Sequence, residues 1–211
     1  IMSSKRRVVV TGLGIVSPLG NDLETTWKNI LNGESGAARI TKFDASDFST
    51  TFAAELKGYD DISGLTQKET RRIDPFVQYA LTASDQAITD ANLALENLDT
   101  KRIGVSIGSG IGGLGSIEDN SIILKEKGPK KISPFFVPGA IINMASGNVA
   151  IKYNLQGPNI SIVSACSSAG HSIGYSARTI SYGDADIMIT GGSEAGITPL
   201  GLAGFNASKA L

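Results

Sequence analysis

The chain of 211 residues balances 19 Lys and Arg against 20 Asp and Glu, a formal net charge of -1 at pH 7, with 41% hydrophobic and 18% charged residues. That length allows one sizeable core or two small domains. A pI of about 5.9 and a mean hydropathy of +0.05 provide no basic field for nucleic acid or an anionic membrane, and the single cysteine excludes an intrachain disulfide or a multi-cysteine metal centre, a usage that fits the reducing cytoplasm.

At the N-terminus, Ile1 ahead of Met2 reads as a cloning remnant. The basic residues before "VVVTGLGIV" lead into an expected strand, Arg7 to Thr11, entering a glycine turn rather than a signal peptide. A helix is expected from about Asn21 to Asn32, ended by Gly33. The next helix opens at "DPFVQYALTASDQAITDANL", with Asp74 as N-cap and Pro75 in the first helical position. Val77, Ala80, Leu81, Ser84, Ala87, Ile88 and Ala91 recur there at helical spacing. A strand follows over Arg102 to Ile107, a helix over roughly Val137 to Tyr153, a strand over Ile160 to Ser164, a helix after Cys166, and a strand over Asp186 to Thr190.

These β-branched runs, several apolar on both faces, alternate with helical patterns, which predicts an α/β fold with a mainly parallel central sheet covered by helices. No apolar run of about 18 residues predicts a membrane span, and no repeat is evident. The final stretch "ITGGSEAGITPLGLAGFNASKAL" shows no closing helix, charged tail or return strand. The expectation is that the chain is part of a longer protein.

Cys166 and His171 are the only residues of their types and stand five positions apart in "ISIVSACSSAGHSIGY". Cys166 is expected at a strand-to-helix corner, at the carboxyl end of the strands where parallel α/β sheets bind ligands. Small neighbours let a sharp turn close and a substrate carbonyl approach, although the G-x-S-x-G spacing of hydrolase elbows is absent. The amides and macrodipole of a following helix favour a thiolate and a developing oxyanion. A buried cysteine acting as a small hydrophobe stands beside this as the alternative. A local dyad is geometrically poor, because five helical residues leave the side chains about 140° apart around the axis and about 7.5 Å apart along it. His171 is expected to be packed or solvent-facing, opposite the shared face of Ala169, Ile173, Ala177 and Ile180.

Other stretches carry competing readings. Gly108-Ser109-Gly110-Ile111-Gly112-Gly113 is formally G-x-G-x-x-G, but the acidic residue wanted about 20 positions later is replaced by "KGPKKISPFF". A glycine run lining an apolar channel is the better use of that backbone than nicotinamide binding. Lys68, Arg71 and Arg72 share one face if helical; with Lys130, Lys131 and Lys209 they are either solvated surface or a patch for an acidic carrier. Phe135 and Phe136 sit in a proline-bounded segment that either caps the core or reaches a pocket or subunit interface.

The stretches "RRVVVTGLGIVSPLGN", "KETRR", "RIGVSIGSGIGGLG", "KISPFFVP", "ISIVSACSSAGHSIGYSAR" and "YGDADIMITGGSEAGITPLGLAGF" together resemble the beta-ketoacyl-acyl carrier protein synthases, the condensing enzymes of fatty acid synthesis, and most closely the type II elongating form. The resemblance spans essentially the whole chain. It implies the thiolase-like fold, a layered α/β/α/β/α arrangement of two similar halves, as a cytoplasmic homodimer without metal or cofactor. It places Cys166 at the nucleophile that takes an acyl chain from acyl carrier protein, with its own N–H in the oxyanion hole. Ile111 matches the gate of the acyl pocket, with Leu114, Gly201 and Phe205 as further pocket positions and Phe136 as the aromatic that reaches the partner subunit. Lys68, Arg71, Arg72, Lys130 and Lys209 fall where the acidic carrier docks.

The family's two catalytic histidines, its active-site lysine and the phenylalanine of the second oxyanion amide belong to the second half of the fold. Residues 1–211 therefore resemble the N-terminal ketosynthase domain alone, expected to accept an acyl chain yet not to complete condensation with malonyl-acyl carrier protein. The alternative from a different class is an inactive half-domain that binds the carrier and dimerises, against which the retained Cys166 speaks.

Overall fold

The computed structural model describes residues 6–59 and 64–211; Ile1, Met2 and the first basic residue of the N-terminal run lie outside them. The first helix, α1, covers Leu23–Leu31, with the Asp22 carboxylate accepting from the Thr25 N–H. A two-stranded antiparallel ribbon pairs β1 (Ala38–Arg39) with β2 (Phe52–Ala53). The short α2 (Gln67–Thr70) carries a capping box between Thr66 and Glu69. It stops before Asp74, the residue preceding Pro75, which is held extended as proline requires. Helix α3 (Pro75–Asp90) then begins with Asp74 as N-cap and Pro75 at N1, and buries Phe76, Val77, Ala80, Leu81, Ser84 and Ile88.

The centre is β3 (Ile103–Gly108), every residue of which is buried. After α4 (Leu114–Lys127), α5 (Phe136–Ala140) and α6 (Met144–Tyr153), β4 (Asn159–Ile160) pairs with one edge of β3. Helix α7 (Ser168–Tyr182) leads to β5 (Ile187–Gly192) on the other edge, and α8 (Pro199–Ala207) follows. Both pairings are parallel, in the order β4-β3-β5, as the alternating pattern predicts. Ile103, Val105 and Ile107 of β3 point into a core with Phe76, Val77, Leu81, Ala145 and Val149 from α3 and α6. The intervening Ser106 and Gly108 face α7 by the two-residue strand period. Among the described residues no helix is long and apolar enough to cross a membrane.

Glycine sets the distance between α7 and the sheet. A Cβ on Gly108 would lie 2.7 Å from the carbonyl oxygens of Ile162 and Ser168 and 2.8 Å from Ser172 Oγ, and one on Gly192 would lie 2.5 Å from Ala169 Cβ. Only small residues fit the facing helix surface, so its buried positions are Ser168, Ser172, Ser176 and Thr179. This corrects the expected apolar face, since Ile173 is 50% exposed.

Other expectations change as well. Residues Arg7 to Thr11 do not form a strand: Val9 and Val10 are exposed, and the adjoining segment docks on α3 instead. There the Leu13 and Ile15 N–H groups donate to Asp90 and Gln86 at 2.8 and 2.9 Å. The strand expected to Ser164 pairs only at Asn159–Ile160. The helix expected over Val137 to Tyr153 breaks after Ala140, because Ile141 is extended and the Ala140 carbonyl accepts from the Gly113 N–H at 2.9 Å. A closing helix does exist: α8 starts at Thr198, whose hydroxyl accepts from the Gly201 N–H, with Pro199 in its first turn.

Arg6 and Arg102 converge on Asp186 at the start of β5, at 2.5 and 3.0 Å, and Arg102 also donates to the Gly183 carbonyl at the end of α7. Hydrogen bonds from Arg102 and then Arg6 hold the Asp186 carboxyl at about 2, below its ordinary 3.8. A depressed folded pKa contributes stability that is present above the unfolded value and lost as pH falls through the folded one. Asp186→Asn is therefore expected to narrow the difference in melting temperature from wild type between about pH 4 and pH 2, by a small amount because the pair is solvent-exposed. A gap that widens toward acid would contradict this. At the helix–sheet contact, Gly192→Ala is expected to destabilise by about 1–3 kcal/mol in a denaturant titration, through overpacking against Ala169.

Candidate active site

Beyond β4 the chain runs to Ser164 and turns. Ala165 has φ of +52°, a left-handed conformation that costs a non-glycine residue about 1–2 kcal/mol. Cys166 follows, exposed and with a free thiol, then Ser167 and the first turn of α7. The turn closes through bonds from the Ser167 N–H to the Ser164 carbonyl and from the Ser168 N–H to the Ala165 carbonyl, each 3.1 Å. The Ser168 hydroxyl, 3% exposed, sits at its hub. It accepts from the Ser164 N–H at 2.9 Å, donates to the Ala165 carbonyl at 2.7 Å, and lies 3.2 Å from the Ser109 carbonyl. His171 is exposed, and its Nδ1 pairs with Ser164 Oγ at 2.6 Å. It thus engages the turn's rim rather than the thiol, as the helical rotation implies.

The Ser109 carbonyl belongs to the glycine loop after β3. There the Gly110 and Ile111 N–H groups donate to one carboxylate oxygen of Glu194 at 2.7 and 3.0 Å, and the Ser109 hydroxyl donates to the other at 3.1 Å. Ser109 Oγ in turn accepts from Gly112 N–H at 3.1 Å, and Gly112 needs glycine for its φ of +82°. A Cβ on Gly110 would lie 2.9 Å from Glu194 Oε2 and 3.3 Å from the Ala165 carbonyl oxygen, so the loop lies directly against the cysteine turn. Consecutive amides in such a loop form a nest for an anion. Glu194 already fills it, and its charge would repel the phosphate that a dinucleotide reading of G-x-G-x-x-G requires. Glu194 carries no signal in the sequence, because the groups it holds lie more than 80 positions earlier.

Ile111 also walls an apolar cleft of about 480 Å³ with Ile117, Phe136, Val137, Ile142 and Val163, within the range of about 300–1,000 Å³ typical of small-molecule sites. Its walls are tied together by Asp74, 2% exposed. The Asp74 carboxylate accepts from the Ser116 N–H and hydroxyl in α4 at 3.0 and 2.8 Å and from Phe76 N–H at 3.2 Å, while its own N–H donates to Gly139 of α5. Burial pushes the Asp74 carboxyl up, against the opposing pull of those bonds. A smaller cavity of about 240 Å³ is lined by Ile15, Tyr79, Glu194 and Ala195 and does not include Cys166.

Of the residues singled out in the sequence, Cys166, Ile111 and Phe136 gather around the turn and the cleft. Leu114 and Gly201 meet at the α4–α8 contact, where a Cβ on Gly201 would lie 3.0 Å from Leu114 Cδ2; Phe205 is exposed on α8. Lys68, Arg71, Arg72, Lys130 and Lys209 are all exposed. The helix ends at Thr70, so Arg72 leaves the expected shared face and its guanidinium stacks 4.5 Å over the Phe135 ring.

Residues 5–211 match the family model of the beta-ketoacyl synthase N-terminal domain. The chain is 52% identical over 208 residues, 99% of its length, to 3-oxoacyl-acyl-carrier-protein synthase 2 of Vibrio cholerae serotype O1, covering 50% of that protein. It is 55% identical over 207 residues, 98% of its length, to the synthase of the same name from Coxiella burnetii, again covering 50%. It thus spans about half the length of the curated relatives it matches. Among solved structures, it resembles a type II polyketide ketosynthase in complex with its acyl-carrier protein and bound to the hexaketide, with a TM-score of 0.80 and 25% identity over 97% of this chain and 55% of that one.

The hub geometry generates a test. Ser168→Ala strands the Ser164 N–H in a closed turn and takes from the Ala165 carbonyl one of its two donors, leaving it the Ser168 N–H, with an expected cost of about 1–3 kcal/mol. Hydrogen exchange at the Ser164 amide should accelerate with it, and an unchanged rate would remove Ser168 from its place at the hub.

Proposed function

This chain belongs to the beta-ketoacyl synthase family, whose N-terminal domain it carries, and we propose that the whole protein is a 3-oxoacyl-acyl carrier protein synthase of fatty acid synthesis with Cys166 as its nucleophile. The Cys166 sulfur attacks the thioester carbonyl of an acyl carrier protein. The carbonyl–sulfur bond to the carrier breaks, the carrier thiol leaves with the proton, and the acyl chain stays on Cys166. Malonyl carrier protein then loses CO2, its α-carbon forms a bond to the acyl carbonyl, and the Cys166 thiolate departs, leaving a 3-oxoacyl carrier protein.

The observation that carries this reading is the junction of an exposed cysteine turn with an apolar cleft. Ile111 walls the cleft while its loop is hydrogen-bonded to the turn through Ser109 and Ser168, so an acyl chain on Cys166 has an adjacent trough for its apolar length. The Cys166 N–H is proposed as one donor to the oxyanion that forms at the attacked carbonyl. Phe136 and Val137 line the cleft on α5, and we place the homodimer contact along this side, with Leu114, Gly201 and Phe205 in the more distant wall. Lys68, Arg71, Arg72, Lys130 and Lys209 supply exposed cations for an acidic carrier protein, and the site of action is the cytoplasm.

Decarboxylation needs donors that stabilise an enolate. The one histidine of these 211 residues is paired with Ser164. Residues 1–211 alone are accordingly proposed to stop at the acyl-enzyme.

Incubating the full-length protein with an acyl carrier protein thioester should add one acyl mass to the peptide containing Cys166, and Cys166→Ala should abolish it. Acylation elsewhere, or its persistence in the variant, would reject the assignment.

A further inference from the structure

We propose that Glu194 is a positioning residue that fixes the acyl-pocket wall at Ile111 relative to the Cys166 turn, and thereby sets which acyl chain lengths the enzyme accepts. The proposal rests on the acyl-transfer reading above. Glu194 follows β5, yet its carboxylate meets three donors of the loop after β3: the N–H groups of Gly110 and Ile111 and the hydroxyl of Ser109. Bonds to a carboxylate are roughly twice as strong as neutral ones, and these hold the backbone of the very residue whose side chain faces the cleft. The same loop reaches the nucleophile's turn from Ser109 through Ser168 to Ala165. One carboxylate thus fixes the distance between the reacting sulfur and the side wall of the trough.

Removing the carboxylate frees two amides and a hydroxyl at once, so Ile111 is no longer held at one depth. The expected consequence is a changed preference rather than a uniform loss. In the full-length protein, Glu194→Ala should change the ratio of kcat/KM for a long against a short acyl carrier protein donor by about tenfold, equivalent to about 1.4 kcal/mol, mainly through KM. Glu194→Gln should stay within about twofold of wild type, because its amide oxygen still accepts both N–H groups and its amide nitrogen can donate to Ser109 Oγ. Ser109→Ala, which removes one of the three bonds, should move the ratio in the same direction by less, and decides the matter if Glu194→Ala fails to fold.

Hydrogen exchange at the Gly110 and Ile111 amides, expected to accelerate in Glu194→Ala, reads the clamp without any reference to catalysis. Unchanged exchange, an equal fall for every chain length, or a Gln variant as altered as the Ala variant would overturn the proposal. Faster exchange in a protein whose wild type never acylates Cys166 would instead reject the acyl-transfer reading while leaving the clamp in place.

Discussion

The close approach of α7 to β3 and β5 is the constraint on which the rest of this structure depends. At Gly108 and Gly192 there is no room for even a methyl group, and the helix answers with Ser168, Ala169 and Ser172. The usual apolar filling between helix and sheet is absent here, so the spacing is set by backbone and small side chains, which are hard to compress and have few rotamers to choose from. Because α7 begins just beyond Cys166, a tightly seated helix fixes the cysteine turn relative to the ends of the strands. Serine hydroxyls brought against the sheet in this way also become structural connectors, as Ser168 shows.

A second layer of order is polar and long-range. Asp74 ties α3 to α4 and α5, and Glu194 ties the end of β5 to the end of β3. Each carboxylate gathers several donors from segments distant in sequence. The walls of the cleft and the loop beside the thiol consequently share one framework, in which a movement at one hydrogen bond is felt at its neighbours.

Local chemistry made part of this legible. Asp74 and Pro75 mark a helix start through capping and a preset φ, the buried run of β3 marks a central strand, and small residues around Cys166 mark a tight turn. The failures share a cause. Arg7 to Thr11 suits a strand by composition, but a strand exists only with a neighbour, and these residues run beside none among those described. Val137 to Tyr153 has helical spacing throughout, yet the helix is interrupted where the Ala140 carbonyl serves Gly113 instead. The serine face of α7 reverses the usual rule for which side is buried, since steric room outweighed hydrophobicity. Glu194 carries no signature because its partners become neighbours only once the sheet has formed.

Ala165 is the least comfortable residue of the turn, held at φ of +52° without the freedom of glycine. Glycine would relieve that strain and in the same stroke admit many more backbone states to the residue before Cys166. Alanine keeps the distribution of thiol positions narrow. On the proposed acyl-transfer reading, an arriving thioester would meet the sulfur already oriented, the entropy of aligning it having been settled during folding.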